Sequence, residues 1–297
     1  MRKFLALFAL CALFASCSSD NDDNDNDRHQ IQIDEKLIKS IELYDVTGGD
    51  TKPVSVTEIK YDNDRKVAKV KVEETDYNDG TTASISESIY TYEGRRISYS
   101  TMYEEGYSVW LNKGYFDLDK SGKVVRGELT EEGKPTVSFS YKYQDGHYIS
   151  SVQSRAKGYN SLSSMEWSSD NIILFEWNEE NSAEKNEYKE YERVEYTNYY
   201  NDASIDLARL VCFANEGSKG AANLCGTKEG NYLNILDRRV KNLPSSMTEL
   251  ADGYKEIKDF DYKRDRNNRV YEIQVKKVRT YRNEQTETKE FKYLIVY

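Results

Sequence analysis

The sequence predicts an all-β chain, mainly one long curved antiparallel meander or half-open barrel, with a short helical insertion covering its concave face. Three observations carry this expectation. First, apolar and polar residues alternate with period two. Val137, Phe139, Tyr141 and Tyr143 share one face and Ser138, Ser140 and Lys142 the other, and Tyr271, Ile273 and Val275 alternate likewise with Glu272, Gln274 and Lys276. Such order puts one strand face on a core and the other in water. Second, one unit recurs: an alternating strand, a polar turn, a basic residue and a second alternating strand. Third, the 297 residues hold 25 Tyr and only 3 Pro, so strand formers abound and strand breakers are rare.

The recurring unit occupies Ile59–Val67, Tyr90–Ile97, Tyr115–Val124 and Phe139–Ile149, with weaker copies at Met165–Ile173 and Phe260–Val270. Asp, Asn and Gly sit between the strands, where tight turns require them. Consecutive hairpins make a meander, and a sheet of ten or more strands must curl or close. One segment departs from the pattern, from about 202 to 251. There Ile205, Leu207, Ala208, Leu210, Val211 and Ala214 fall at helical spacing, with Ser204 as the expected N-cap and Gly217 as the stop. A second apolar cluster, Leu233, Ile235 and Leu236, runs to Leu243-Pro244. A curved sheet must bury its inner face against something, and this insertion is the available cover.

The N-terminus reads as an export address. Met1-Arg2-Lys3 is cationic, Phe4 to Phe14 is apolar, and Ala15-Ser16 precede Cys17. The apolar run is too short to span a bilayer and has the layout of a signal peptide over residues 1–16. Phe14-Ala15-Ser16-Cys17 resembles a bacterial lipobox, which makes Cys17 the expected lipidation site. An acidic tether follows over residues 17–35. Asp20 to Asp27 holds five Asp and three Asn, a run that cannot bury enough surface to offset chain entropy. It resembles the acidic export signal of Bacteroidetes lipoproteins. The expected location is therefore the outer membrane, facing the cell surface, with the periplasmic face as the alternative. Residues 36–297 are expected to form a single β-rich domain.

Charge narrows the partners. The formal net charge is −10, and loss of Arg2 and Lys3 with the signal peptide leaves the chain two charges more negative. That argues against nucleic acid, whose binding rests on Lys and Arg, and against docking on anionic lipid. Membrane association is expected through the lipid anchor only. With Cys11 removed and Cys17 lipidated, Cys212 and Cys225 remain as an even pair in an oxidising compartment. A bridge between them would contribute about 3 kcal/mol by restricting the unfolded chain.

Chemistry-bearing motifs are few. Asp117-x-Asp119-x-Ser121-Gly122 with Glu128 at the twelfth place fits the spacing of a calcium loop. That loop needs flanking helices, whereas Tyr115-Phe116 and Val124-Val125 lie in the strand repeat, so a hairpin turn is the reading here and no metal is expected. His29 and His147 are the only histidines, too few for a histidine-rich metal site, and a nucleophilic triad would have to use His147. Glu176, Glu179 and Glu180 beside Trp177 are a carboxylate cluster of the kind a glycosidase uses, but they read first as a charged hairpin turn. Trp110, Trp167 and Trp177 suit either core or ligand stacking. No phosphate loop, dinucleotide fingerprint or cofactor motif occurs, and no catalytic residue is assigned.

Several segments together resemble a Bacteroidetes lipoprotein domain family of unknown function with a porin-like fold. They are Tyr200-Asn201-Asp202, the helical stretch ending near Leu210, Arg239-Val240-Lys241-Asn242-Leu243-Pro244-Ser245, and the hairpin Phe260-Asp261-Tyr262…Arg269-Val270-Tyr271-Glu272-Ile273. The resemblance covers about residues 55–297 and implies a fold, not an activity. The functional expectation is a surface-exposed, non-enzymatic binding module for a glycan, peptide or partner protein. A carboxylate-based hydrolase and a barrel inserted in the outer membrane are the alternatives, the latter suggested also by the aromatic end Leu294-Ile295-Val296-Tyr297.

Overall fold

The structure is a computed structural model that describes residues 36–49, 52–75, 82–132, 136–143, 150–156, 159–181, 186–213, 228–235 and 240–297. Lys36–Tyr297 form one compact unit. The strands are β1 Ser40–Asp45, β2 Ser55–Tyr61, β3 Val67–Thr75, β4 Thr82–Glu93, β5 Arg96–Glu105, β6 Ser108–Leu118, β7 Val124–Glu131 and β8 Val137–Lys142. They continue as β9 Ser150–Ala156, β10 Tyr159–Ser168, β11 Asn171–Asn181, β12 Asn186–Tyr200, β13 Asn242–Ala251, β14 Tyr254–Arg264, β15 Val270–Tyr281 and β16 Thr286–Val296. Each pairs antiparallel with its chain neighbours.

The expected antiparallel meander is present, and its ends meet. β1 pairs with β16 from Ser40↔Val296 to Asp45↔Phe291, so the sixteen strands close into a barrel rather than stopping half-open. Closure satisfies the backbone groups that an open sheet of this length would leave bare at two edges.

The repeat has a structural cause at one end of the barrel. Asp62, Asp119 and Asp265 each open a turn in which one carboxylate oxygen accepts the backbone N–H groups two and four residues ahead. The residue three ahead takes a left-handed conformation: Arg65, Gly122 and Asn268, with φ of 61°, 85° and 62°. The basic residue that follows, Lys66, Lys123 or Arg269, lies over the ring of Tyr92, Tyr143 or Tyr297. Each of those tyrosines donates its hydroxyl to the carbonyl of Val67, Val124 or Val270. Turn, cation and tyrosine thus form one clasp between a hairpin and a nearby strand, repeated around the rim.

The insertion closes this same end. Helix α1 (Leu207–Phe213) and a 3₁₀ turn (Lys228–Tyr232) place Ile205, Leu207, Ala208, Val211, Leu233, Ile235 and Val240 in the core with inward side chains of the wall, among them Phe116, Met165, Ile172 and Phe175. The cover expected over a concave face is therefore a floor inside a closed wall. Its extent and its cap differ from expectation. Asn242–Ala251, expected within the insertion, form strand β13, which pairs along β12 and β14. The N-cap is Asp206, whose carboxylate accepts Arg209 N–H at 3.1 Å and Val240 N–H at 3.0 Å. Ser204 instead accepts Ile38 N–H at 2.9 Å and meets the Tyr61 hydroxyl at 2.9 Å, tying the insertion to the first strands. Gly217 and Leu236 lie outside the described residues.

The outward face carries ladders of ion pairs. Glu58, Lys71 and Glu87 are neighbours across β2, β3 and β4, beside an ion pair of Lys69 with Glu87 at 2.7 Å. Asp117 lies between Arg96 and Arg126 across β5, β6 and β7, at 2.7 and 2.6 Å. Lys263 pairs with Glu272 across β14 and β15 at 2.8 Å. A barrel spanning lipid needs an outward apolar band some 25 Å tall. Here ladders of ion pairs lie among the outward positions, beside exposed apolar side chains such as Ile89, Met102 and Leu111.

Candidate functional site

Along the wall the inward positions change character from the floor to the opposite end, the mouth. On β5 the inward residues run Ile97, Tyr99, Thr101, Tyr103, Glu105, and on β4 Tyr92, Tyr90, Ser88, Ser86, Ser84. On β14 they run Tyr262, Phe260, Lys258, Glu256, Tyr254, and on β15 Ile273, Val275, Lys277, Arg279, Tyr281. One strand face therefore supplies both an apolar floor and a polar upper chamber. Two parts of that chamber carry chemistry.

The first is a charged wall. Glu192, Glu249 and Glu256 lie side by side across β12, β13 and β14, each no more than 2% exposed. Carboxylates buried this deeply need cations. The Lys258 ammonium lies 3.4 Å from Glu256 and 4.0 Å from Glu249. Arg279 donates Nε and Nη2 to Glu256, both at 2.7 Å, and Lys277 lies 3.6 Å from it. The Tyr254 hydroxyl donates to Glu249 and its ring lies under Arg279. Burial pushes the Glu256 carboxyl up, but Lys258, Lys277 and Arg279 outweigh it and hold its pKa below the usual value. Burial pushes Lys258 down, and Glu256, Glu249 and Glu192 more than reverse that. Lys277 ends below the usual lysine range, because burial and neighbouring cations exceed the pull of Glu256. Glu249 and Glu256 facing Lys258, Lys277 and Arg279 make a locked network, with Glu192 beside Glu249 in register. An acid–base pair requires two groups driven apart in pKa, with one carboxyl held protonated; here Glu256 is held ionised.

The second part is aromatic and amide. Tyr103 and Trp110, cross-strand neighbours on β5 and β6, stack with centroids 5.5 Å apart and planes 8° from parallel. Tyr103 donates its hydroxyl to Glu229 Oε1 at 2.8 Å, and Tyr90 donates to the Glu229 carbonyl at 3.0 Å, which binds the 3₁₀ turn to this wall. Burial and the Glu229 charge push the Tyr103 hydroxyl far above its usual pKa. Deeper, Ser88 and Thr101 share a hydrogen bond at 2.9 Å. Asn112, next to Thr101 in register, is 6% exposed, and its Oδ1 has no hydrogen-bond partner among the described residues.

The residues singled out from sequence fall elsewhere. Asp117 and Glu128 point outward from β6 and β7, Asp117 held by its two arginines. Asp119 holds its own turn through Ser121 and Lys123, so the calcium-like string is a clasp of the repeat. Among the described residues no His, Cys, Asp and Glu group is arranged to hold a metal ion. Cys212 lies buried on α1, its pKa pushed well up by burial. Its expected partner Cys225 lies outside the described residues, as do Cys17, His29 and His147. Glu176 lies within strand β11, not in a hairpin turn, and accepts from Ser164 at 3.3 Å. Of the tryptophans, Trp167 belongs to the core and Trp110 to the chamber.

The charged wall was overlooked in the sequence, although it left a signal. In Tyr254-Lys255-Glu256-Ile257-Lys258-Asp259-Phe260 the aromatic face continues through Glu256 and Lys258 while the opposite face carries Ile257. A period-two face that turns from aromatic to charged partway along a strand marks a barrel interior with a polar end.

No protein-family model matches the chain, and no curated protein matches it in sequence. Solved structures do match in fold. A porin-like protein from Bacteroides vulgatus ATCC 8482 superposes with a TM-score of 0.57 at 14% identity, covering 88% of this chain and 98% of that one. A porin-like protein from Bacteroides uniformis ATCC 8492 superposes with a TM-score of 0.59 at 13% identity, covering 87% of this chain and 98% of that one. The chain therefore has a porin-like fold, as its sequence resemblance implied.

Proposed function

We propose that this chain is a non-enzymatic binding module, held at the outer membrane by a lipid on Cys17 and facing the cell surface, that receives a glycan, peptide or partner protein in the upper chamber of its barrel. One observation supports this reading above the others: the wall carries ladders of ion pairs outside, is filled by an apolar plug at the floor, and is polar inside toward the mouth. A lipid-spanning channel needs the reverse outside and a clear path within. A cup standing clear of the bilayer needs this distribution. Glu256 in the carboxylate row is held ionised by Lys258, Lys277 and Arg279, which supports binding over hydrolysis there.

Membrane fractionation tests the placement. The full-length protein is expected to sediment with outer membranes and to be released by detergent. The Cys17→Ala protein is expected in the soluble fraction with the same β-sheet circular dichroism. A Cys17→Ala protein that stays in membranes through alkaline carbonate washing would return the inserted barrel to first place.

A further inference from the structure

We infer that the Tyr103–Trp110 wall is a saccharide subsite, taking a neutral pyranose ring against the Tyr103 face and a sugar hydroxyl on Asn112. This rests on the binding-module reading above and names its ligand class. Four observations converge on it. Exposure rises along this wall from buried Ser88, Thr101 and Asn112, through the half-buried Ser86, Tyr103 and Trp110, to exposed Glu105 and Ser108, so the wall opens to solvent at the mouth. The Tyr103 face opposite Trp110 looks onto β4, whose inward side chains there are Ser84 and Ser86, neither large enough to cover a ring. The Tyr103 ring is held in place by the stack on Trp110 and the hydroxyl bond to Glu229. Such a fixed aromatic platform offers its π face to the C–H groups of a sugar without ordering cost.

The fourth observation is Asn112. A buried amide oxygen without a partner costs about 1–3 kcal/mol, a penalty that a native structure keeps where a ligand relieves it. A sugar hydroxyl can donate to that oxygen. The Glu229 carboxylate, already accepting from Tyr103, has lone pairs left for a second hydroxyl. An aromatic face, an amide acceptor and a carboxylate suit a neutral polyol. An anionic ligand would meet Glu229, Glu131 and Glu105, which argues for an uncharged sugar.

The test is isothermal titration calorimetry of the full-length protein in detergent with four neutral hexasaccharides: cello-, xylo-, manno- and maltohexaose. At least one is expected to bind, with affinity about ten-fold weaker in Asn112→Ala, as the loss of one hydrogen bond predicts. Ser86→Phe, which lays a ring over Tyr103 without removing any core group, is expected to abolish binding, whereas outward-facing Leu111→Ala is expected to leave it unchanged. Circular dichroism of each variant separates lost binding from lost fold. Failure of all four sugars at millimolar concentration, or binding indifferent to Ser86→Phe, overturns the subsite. In that case a random peptide library is titrated in parallel. Peptide binding blocked by Ser86→Phe would leave the cup reading standing without the sugar, and no binding of either kind would count against both.

Discussion

Replacing Lys258 with Met is expected to be among the most damaging single changes in the chain. The Met side chain fits the same volume, so the perturbation is electrostatic. It removes an ammonium whose side chain is 6% exposed from between two carboxylates whose side chains are 2% exposed. Glu256 keeps Arg279 and Lys277, but Glu249 keeps only the Tyr254 hydroxyl among its described hydrogen-bond and ion-pair partners. Breaking a buried ion pair from one side costs about 3–5 kcal/mol, most of it from the stranded charge. The double variant with Glu249→Gln removes that charge and is expected to recover much of the loss, giving a coupling of about 1–3 kcal/mol. The pH dependence follows from the directions of shift. Glu256 is lowered in the folded state, so its contribution is present above the unfolded value of about 4.3 and is lost as pH falls through the folded value. Lys258 is raised, so its contribution is present below about 10.4 and is lost as pH rises through its folded value. In Lys258→Met the stranded carboxylate can be relieved only by a proton, so the variant should close on the wild type as pH falls toward 4. Urea unfolding, which adds no salt, measures this at a series of pH values. A deficit under about 1 kcal/mol at pH 7, or one that does not change with pH, would refute the network as described.

Four further predictions concern the frame. Gly114→Ala would put a methyl 2.3 Å from the Tyr99 ring and 2.5 Å from the Glu128 carbonyl, and is expected to cost about 1–3 kcal/mol in the same unfolding assay, whereas Gly48→Ala, with nothing within 4 Å, should be neutral. Asp119→Ala removes the acceptor of the 119–123 turn and should cost about 1 kcal/mol. Saturating calcium should leave the wild-type melting temperature unchanged, against about 2.7 kcal/mol for a site held at a 100-fold excess over its dissociation constant. Cys212, buried on α1, should resist alkylation in the native protein, and non-reducing peptide mapping decides the expected bridge: one linked Cys212–Cys225 species establishes it, and quantitative alkylation of both thiols in denaturant without reductant excludes it.

The hairpins were legible because a strand with one wet face writes its exposure into every second residue, and because an Asp-led turn uses the same few residues each time. The insertion was legible as a break in that rhythm, although its end was misplaced. Leu243 and Met247 are apolar enough to suit a helix or a strand, and only pairing along β12 and β14 shows them to be β13. The Ser204 cap was a fair local reading overtaken by a distant contact, since Ile38 and Tyr61 take up its hydroxyl from the far end of the chain. The charged wall was missed because Glu192, Glu249, Glu256 and Lys258 each read alone as solvated surface.

By itself the sequence determined what is local in cause: antiparallel strands, turn positions, an acidic N-terminal run, and a net acidic charge. The tertiary structure decided what depends on residues far apart in the chain. Closure rests on Ser40–Asp45 meeting Phe291–Val296. The chamber rests on acids and bases from β13 to β15 converging within 4.0 Å. Alternation tells a strand which side is which, but inside and outside exist only once a sheet has closed, and only then does a lysine on the inner face become a buried charge that must find its partners.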